Sequence, residues 1–99
     1  MTMTQTVFFE FQLKSDDLDA ARAAVHTTLE QTRAFEGSIN VDVLVDDEDP
    51  TRMIAVELWE TADAHTAYLA WRGTPEGAAT LGAMLAARPT TRTFTTAEL

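Results

Sequence analysis

Hydrophobic and polar residues alternate along residues 6–13, with Val7, Phe9, Phe11 and Leu13 on one side and Phe8, Glu10 and Gln12 on the other. A period of two is that of a strand, and here one side is wholly apolar. The period then changes. Leu18, Ala21, Val25, Leu29, Thr32 and Phe35 recur at helical spacing, which predicts a long helix with one buried stripe. Arg22, His26, Glu30 and Arg33 fall mostly on its other side. Ser15 is the expected N-cap, with Asp16 and Asp17 in the first turn where the helix dipole favours negative charge. Gly37 stands where a left-handed stop is needed.

Alternation returns in residues 38–45, with Ile39, Val41, Val43 and Val45 set against Asn40, Asp42 and Leu44. Residues 46–50 form an acidic turn that Pro50 keeps out of any ladder. Its carboxylates lack the spacing of a calcium loop, so a solvated hairpin tip is expected. Residues 51–60 alternate once more. Ile54, Val56 and Leu58 point one way, and Ala55, Glu57 and Trp59 the other. Thr61 then caps a short helix. Gly73 ends it, and Thr74 and Pro75 cap and open a second short helix that buries Ala78, Leu81, Met84 and Leu85. Gly77 and Gly82 weaken that helix by about 1 kcal/mol each, and Pro89 ends it. Residues 91–96, β-branched around Phe94, predict a fourth strand.

Strand, helix, strand, strand, helix in two pieces, strand is an α+β order. It predicts a ferredoxin-like split βαβ antiparallel sheet with helices on one face, in one domain spanning residues 1–99. The all-apolar strand faces are expected to meet the helices. That leaves Phe8, Glu10, Gln12, Asn40, Asp42, Leu44, Ala55, Glu57 and Trp59 on the opposite face, too apolar for solvent and too charged for a dry core. A two-fold partner covering that face resolves the mismatch, so a homodimer through the sheet is expected.

Composition narrows the function more than it identifies it. A net charge of −9 disfavours nucleic acid and anionic membranes as partners. The absence of cysteine removes disulfides, thiolate chemistry and Cys-ligated zinc, and fits a cytoplasmic protein. The first residues have neither a basic nor an apolar signal region, and no apolar run reaches the roughly 20 residues of a membrane span. No glycine-rich phosphate loop is present. Ser15 and Ser38, the two serines, both begin elements, which disfavours a serine nucleophile. His26 and His65 sit on different helices with no metal-ligand spacing.

The candidate chemistry gathers around the third strand and the helix after it. On that helix His65, Tyr68 and Trp71 fall within one arc of about 120°. His65 is either a general base with a pKa near neutrality or a helix histidine with no role. Tyr68 either hydrogen-bonds a substrate oxygen or packs with its hydroxyl at the rim. Trp59 and Trp71 either line an aromatic-binding pocket or serve the core or a dimer contact. Glu57 is a catalytic carboxylate or, more commonly, a partner for Arg52 or Arg92. Asn40 is the sheet residue best placed to reach a ligand.

Residues 32–39 (Thr-Arg-Ala-Phe-Glu-Gly-Ser-Ile), Asp47 to Pro50 in the turn, and Glu57-Leu58-Trp59-Glu60 followed by Ala62-Asp63-Ala64 resemble the antibiotic biosynthesis monooxygenase family of dimeric α+β-barrel proteins. The resemblance spans residues 6–94. Many members carry a histidine followed by leucine in the helix after Glu-x-Trp. Here that place reads Ala67-Tyr68-Leu69, and the histidine stands three residues earlier at His65.

The resemblance implies oxygenation of an electron-rich phenol or hydroquinone, often of polyketide origin, to a quinone by dioxygen, with no flavin, metal or other cofactor. His65 or Tyr68 would handle the proton or oxyanion, Trp59 and Trp71 would stack on the rings, and residues 74–88 would form a lid. Other members degrade haem with an Asn on the first strand, a Trp in the second helical region and a downstream His. This chain has none of these in place. The alternatives are a non-catalytic dimeric small-molecule-binding or stress-associated protein, or a polyketide cyclase or isomerase.

Overall fold

The structure, a computed structural model, describes residues 3–99. Its elements are β1 (Gln5–Gln12), α1 (Leu18–Ala34), β2 (Ser38–Val45), β3 (Arg52–Trp59), α2 (Ala62–Arg72), a 3-10 turn (Thr80–Met84) and β4 (Thr90–Thr95). The strands form one antiparallel sheet in the order β2-β3-β1-β4, with α1 and α2 packed on one side. This is the ferredoxin-like split βαβ arrangement expected from the order of elements.

Register decides which side chains meet the helices. Val7 pairs with Glu57, Phe9 with Ala55 and Phe11 with Met53, while Val41 pairs with Glu57 from the other side. Paired residues project to the same face. The covered face therefore carries Met53, Ala55, Glu57 and Trp59, all buried. The expected orientation of β3 is thus reversed: Ile54, Val56 and Leu58, its most uniformly apolar set, lie on the open face. The cause is the fixed partnership with Val7, Phe9 and Phe11 of β1 and with Val41 and Val43 of β2. A strand's parity follows its neighbours when its two sides are comparably hydrophobic.

Helix α1 begins two residues later than the serine signal suggests. Asp17, not Ser15, is the N-cap, its Oδ1 accepting from the Ala20 N–H at 3.0 Å. The buried stripe of α1 runs through Ala21, Ala24, Val25, Thr28, Leu29 and Thr32. Gly37 has φ of 92°, the left-handed stop expected there. Thr61 caps α2 as expected, its Oγ1 accepting from the Ala64 N–H at 3.0 Å.

The expected second short helix does not form. Thr74 turns back instead, its hydroxyl donating to the Trp71 carbonyl at 2.6 Å and accepting from the Gly77 N–H at 3.2 Å. Gly77 lies so close over Trp71 that a Cβ there would overlap the Trp71 carbonyl. Only the 3-10 turn follows, burying Leu81 while Ala78 stays exposed. Its far end is fastened to the end of β1: the Lys14 N–H donates to the Met84 carbonyl and the Ala86 N–H to the Gln12 carbonyl, both at 2.8 Å.

Two apolar clusters hold the layers together. The larger joins Phe11, Leu13, Val25, Leu29, Val41, Met53 and Leu81. The smaller joins Val7, Trp59 and Tyr68, with Phe35 and Trp71 against them.

Candidate functional site

The positions of His65, Tyr68 and Arg72 are three and four residues apart, so they form one stripe along the inner side of α2. Opposite them, the inward parity of β3 places Glu57. Between these walls and α1 lies a cavity of about 310 Å3. Val7, Phe9 and Ala55 give it an apolar floor, Val25 and Leu29 a side wall, and Leu81, Leu85 and Pro89 a rim. Its polar groups are Glu57, His65, Tyr68, Arg72, Thr28, Thr32 and, at the β4 edge, Thr91.

Glu57 is 7% exposed, and its Oε1 accepts from the Trp59 indole N–H at 2.9 Å. Residues two apart on a strand share a face, which makes this bond local. Burial pushes the Glu57 carboxyl above its ordinary pKa, because the ionised form loses hydration. The Trp59 N–H and the positive charge of Arg72 pull the other way. Neither sequence-expected partner is used: Arg52 lies 3.5 Å from Asp49, and Arg92 sits over Phe94 on the open face.

His65 is 4% exposed, and its ring lies 5.5 Å from the Trp59 ring. Its ring nitrogens make no hydrogen bond to a protein group among the described residues. Burial pushes its pKa down, favouring the neutral imidazole, a species able to accept a proton.

Tyr68 is differently situated. Its hydroxyl accepts from the Arg72 Nε–H at 2.7 Å and lies 2.8 Å from the Thr32 hydroxyl. The Thr32 hydroxyl donates to the Thr28 carbonyl at 3.0 Å, so the proton between Tyr68 and Thr32 belongs to Tyr68. The tyrosine proton is thereby spent inside the protein. Arg72 completes the tie. Its Nη2 donates to the Thr28 carbonyl at 2.9 Å and to Thr32 at 3.3 Å, and its Nη1 to Gln31 at 2.8 Å and to the Gly77 carbonyl at 3.2 Å. With Nε on Tyr68, all five guanidinium N–H groups are committed.

The structure brings His65 and Tyr68 together and adds Glu57, which sequence reasoning left to an ion pair. It does not bring the remaining candidates to the cavity. Trp59 is wholly buried, with ring centroids 6.2 Å from Phe35 and 5.0 Å from Tyr68, and stands behind the wall. Trp71 packs against Phe35 at 5.6 Å in the same cluster. Asn40 lies on the open face, exposed, and donates to Asp42 at 3.0 Å. Its route to the cavity is closed by the sheet itself, because Asn40 pairs with Leu58 and alternates with the inward Val41. Arg72, Thr28 and Thr32 were missed. The Tyr68–Arg72 spacing of one helical turn was the available signal for the first.

Among the described residues no group of three or more His, Asp or Glu side chains is placed to hold a metal ion. No helix among them is long and apolar enough to cross a membrane.

A family model described as antibiotic biosynthesis monooxygenase matches residues 4–82. The chain belongs to that family. Its fold recurs in solved structures of low sequence identity. SnoaB, a cofactor-independent oxygenase from Streptomyces nogalater, is 18% identical with a TM-score of 0.79, covering 97% of this chain and 95% of its own. A conserved protein from Methanosarcina mazei is 17% identical with a TM-score of 0.79, covering 94% and 92%. A Mycobacterium tuberculosis protein is 19% identical with a TM-score of 0.77, covering 97% of both chains. No curated protein matches by sequence. Family membership confirms the resemblance carried by Glu57-Leu58-Trp59-Glu60 and its flanking segments.

Proposed function

We propose that this protein is a cofactor-independent monooxygenase that oxidises an electron-rich phenol or hydroquinone to a quinone with dioxygen. The observation carrying the reading is a small apolar cavity holding one unpartnered imidazole that burial keeps neutral. In this chemistry His65 takes the phenolic proton. The phenolate then supplies the electrons that reduce dioxygen. From a phenol, one oxygen atom becomes the new ring carbonyl and the other leaves as water with two hydrogens from the substrate; a hydroquinone instead gives two electrons and two protons to dioxygen, which leaves as hydrogen peroxide. Excluding bulk water favours the step, because a phenolate in an apolar pocket is a stronger reductant than a hydrated one. The name of SnoaB as a cofactor-independent oxygenase supports the same direction. Tyr68 forms part of the wall and is held by Arg72, and residues 74–88 act as the lid.

The test is oxygen uptake by metal-stripped protein with a panel of hydroquinones and anthrone-type phenols. Uptake above autoxidation that falls about 100-fold in His65→Ala is expected. No uptake across the panel, with the same aromatics bound tightly, would replace this reading with that of a binding protein.

We also propose that a second copy of the chain covers the open sheet face. With β3 reversed from expectation, that face gathers Phe8, Leu44, Ile54, Val56, Leu58 and Phe94, a more continuous apolar surface than the sequence alone suggested. Leu44 and Phe94 are 54% and 40% exposed, and such a face is a cost to a lone subunit. It lies across the sheet from the cavity, so each subunit keeps its own site.

A further inference from the structure

The cavity's hydrogen-bonding groups are unevenly divided. Every N–H of Arg72 is taken by protein acceptors, and the Tyr68 proton goes to Thr32. The one cation in the wall therefore offers nothing to a ligand. Thr28 lines the same cavity with its hydroxyl buried and unpartnered among the described residues, and a hydroxyl can donate or accept. Neutral His65 has one nitrogen of each kind. Glu57 alone is one-sided. Its Oε1 is pinned by the Trp59 indole, while Oε2 makes no hydrogen bond among the described residues. An ionised carboxylate accepts and never donates.

We propose that the cavity selects the reduced, hydroxyl-bearing form of an aromatic ligand over its oxidised, carbonyl-bearing form, with Glu57 as the acceptor that reads the hydroxyl. This rests on the cavity being the aromatic site. A hydroquinone donates an O–H to Oε2 of Glu57. The matching quinone has only carbonyl oxygens to present, and leaves the carboxylate facing an acceptor. Any oxidation that turns the hydroxyl read by Glu57 into a carbonyl, as in the step from phenol to quinone, removes the hydrogen bond that held the ligand and so loosens the product. The Trp59 indole is a positioning group: it fixes the carboxyl plane, and thereby the direction of Oε2. The volume, about 310 Å3, lies at the small end of the ~300–1,000 Å3 range of ligand pockets, which suits compact fused rings.

The experiment is calorimetric binding under nitrogen, in neutral to mildly alkaline buffer, of 2-naphthol against 2-methoxynaphthalene, and of 1,4-naphthohydroquinone against 1,4-naphthoquinone. The wild-type protein is expected to bind each hydroxyl form about tenfold or more tightly, the worth of one hydrogen bond to a charged acceptor. Glu57→Gln keeps the bond from Trp59 but turns an N–H2 toward the ligand, and should erase or invert the preference. Glu57→Asp keeps the charge, withdraws the acceptor by one methylene, and should also lose it. A merely structural carboxylate would weaken both ligands of a pair equally. Equal binding of the two forms by the wild type, tighter binding of the ether or quinone, no binding of any of the four, or an unchanged ratio in a folded Glu57 variant would each overturn the proposal. Because no oxygen is present, a failure of oxygen uptake would count against the oxygenase alone and leave these ratios standing.

Discussion

Replacing Tyr68 with phenylalanine removes one oxygen atom and tests whether that oxygen serves the fold or the ligand. The hydroxyl is buried between Arg72 Nε at 2.7 Å and Thr32 Oγ1 at 2.8 Å. Its loss leaves one charged N–H without a partner, while Thr32 keeps its bond to the Thr28 carbonyl. A hydrogen bond to a charged group is worth roughly 1.5–3 kcal/mol. Arg72 is half-buried, so water recovers part of this. The expected cost is about 1.5–2 kcal/mol, at the lower end of that range. In urea this moves the unfolding midpoint down by about 1 M. The assay is urea denaturation followed by far-UV circular dichroism, for Tyr68→Phe, Arg72→Met and the double variant. If the tie is real, the two single losses exceed the double loss by about 1 kcal/mol or more. Turnover per folded molecule should fall less than about threefold in Tyr68→Phe, because the tyrosine proton is already given to Thr32. A variant of undiminished stability that has lost oxygen uptake would refute this reasoning and return the hydroxyl to the ligand.

The two buried titratable groups predict opposite pH dependences. His65 is pushed below its ordinary value of 6.5, so its contribution to stability is complete above that value and is lost as pH falls below it. His65→Gln should flatten the melting temperature between about pH 7 and 5, and a wild-type rate limited by neutral His65 should show its acidic inflection below 6.5. Glu57 is pushed above 4.5, so its contribution is complete below that value and is lost as pH rises through the folded pKa. Glu57→Gln should therefore melt higher than wild type at neutral pH, with the gain vanishing near pH 4.5; a gain that grows in acid would contradict the assignment. Gly77→Ala forces a Cβ into the Trp71 carbonyl and should cost about 2 kcal/mol or more, read by thermal melting. By light scattering the wild type should be a dimer, as proposed, and Val56→Asp, in the middle of the open face, a monomer at the same concentration; a monomeric wild type would refute the proposed dimer.

Much of the scaffold was legible because its signals were redundant. β1 and β2 each have one clearly apolar side, and Thr61 and Gly37 mark their element boundaries with residues that do little else there. The errors fell where one local signal stood alone. In β3 the alternation was clear but its polarity was not. Ile54, Val56 and Leu58 look more like core than Ala55, Glu57 and Trp59, and only pairing to Val7 and Val41 decides. The inward turn of a carboxylate is a local conflict of the kind functional positions carry. Ser15 and Asp17 are both good caps, and the choice between them rests on where α1 docks. The sequence leaves Trp59 and Trp71 open between a ligand pocket and the core, and only the fold shows that they close a cluster around Phe35 while smaller apolar side chains line the cavity. Arg72 was overlooked because its partners Thr28, Gln31 and Thr32 lie some forty residues away along the chain, as the separations of 44, 41 and 40 record.

The segment from α2 to β4 is fastened at both ends, by Arg72 to the Gly77 carbonyl and by the Lys14–Met84 and Ala86–Gln12 backbone bonds. It behaves as a span between two abutments. Between them Leu81 is the keystone, buried in the larger apolar cluster, and Gly82 has no neighbour within 4 Å of a would-be side chain. If the cavity is the ligand site proposed above, bowing of such a span would admit a ligand while the sheet and both helices stay intact.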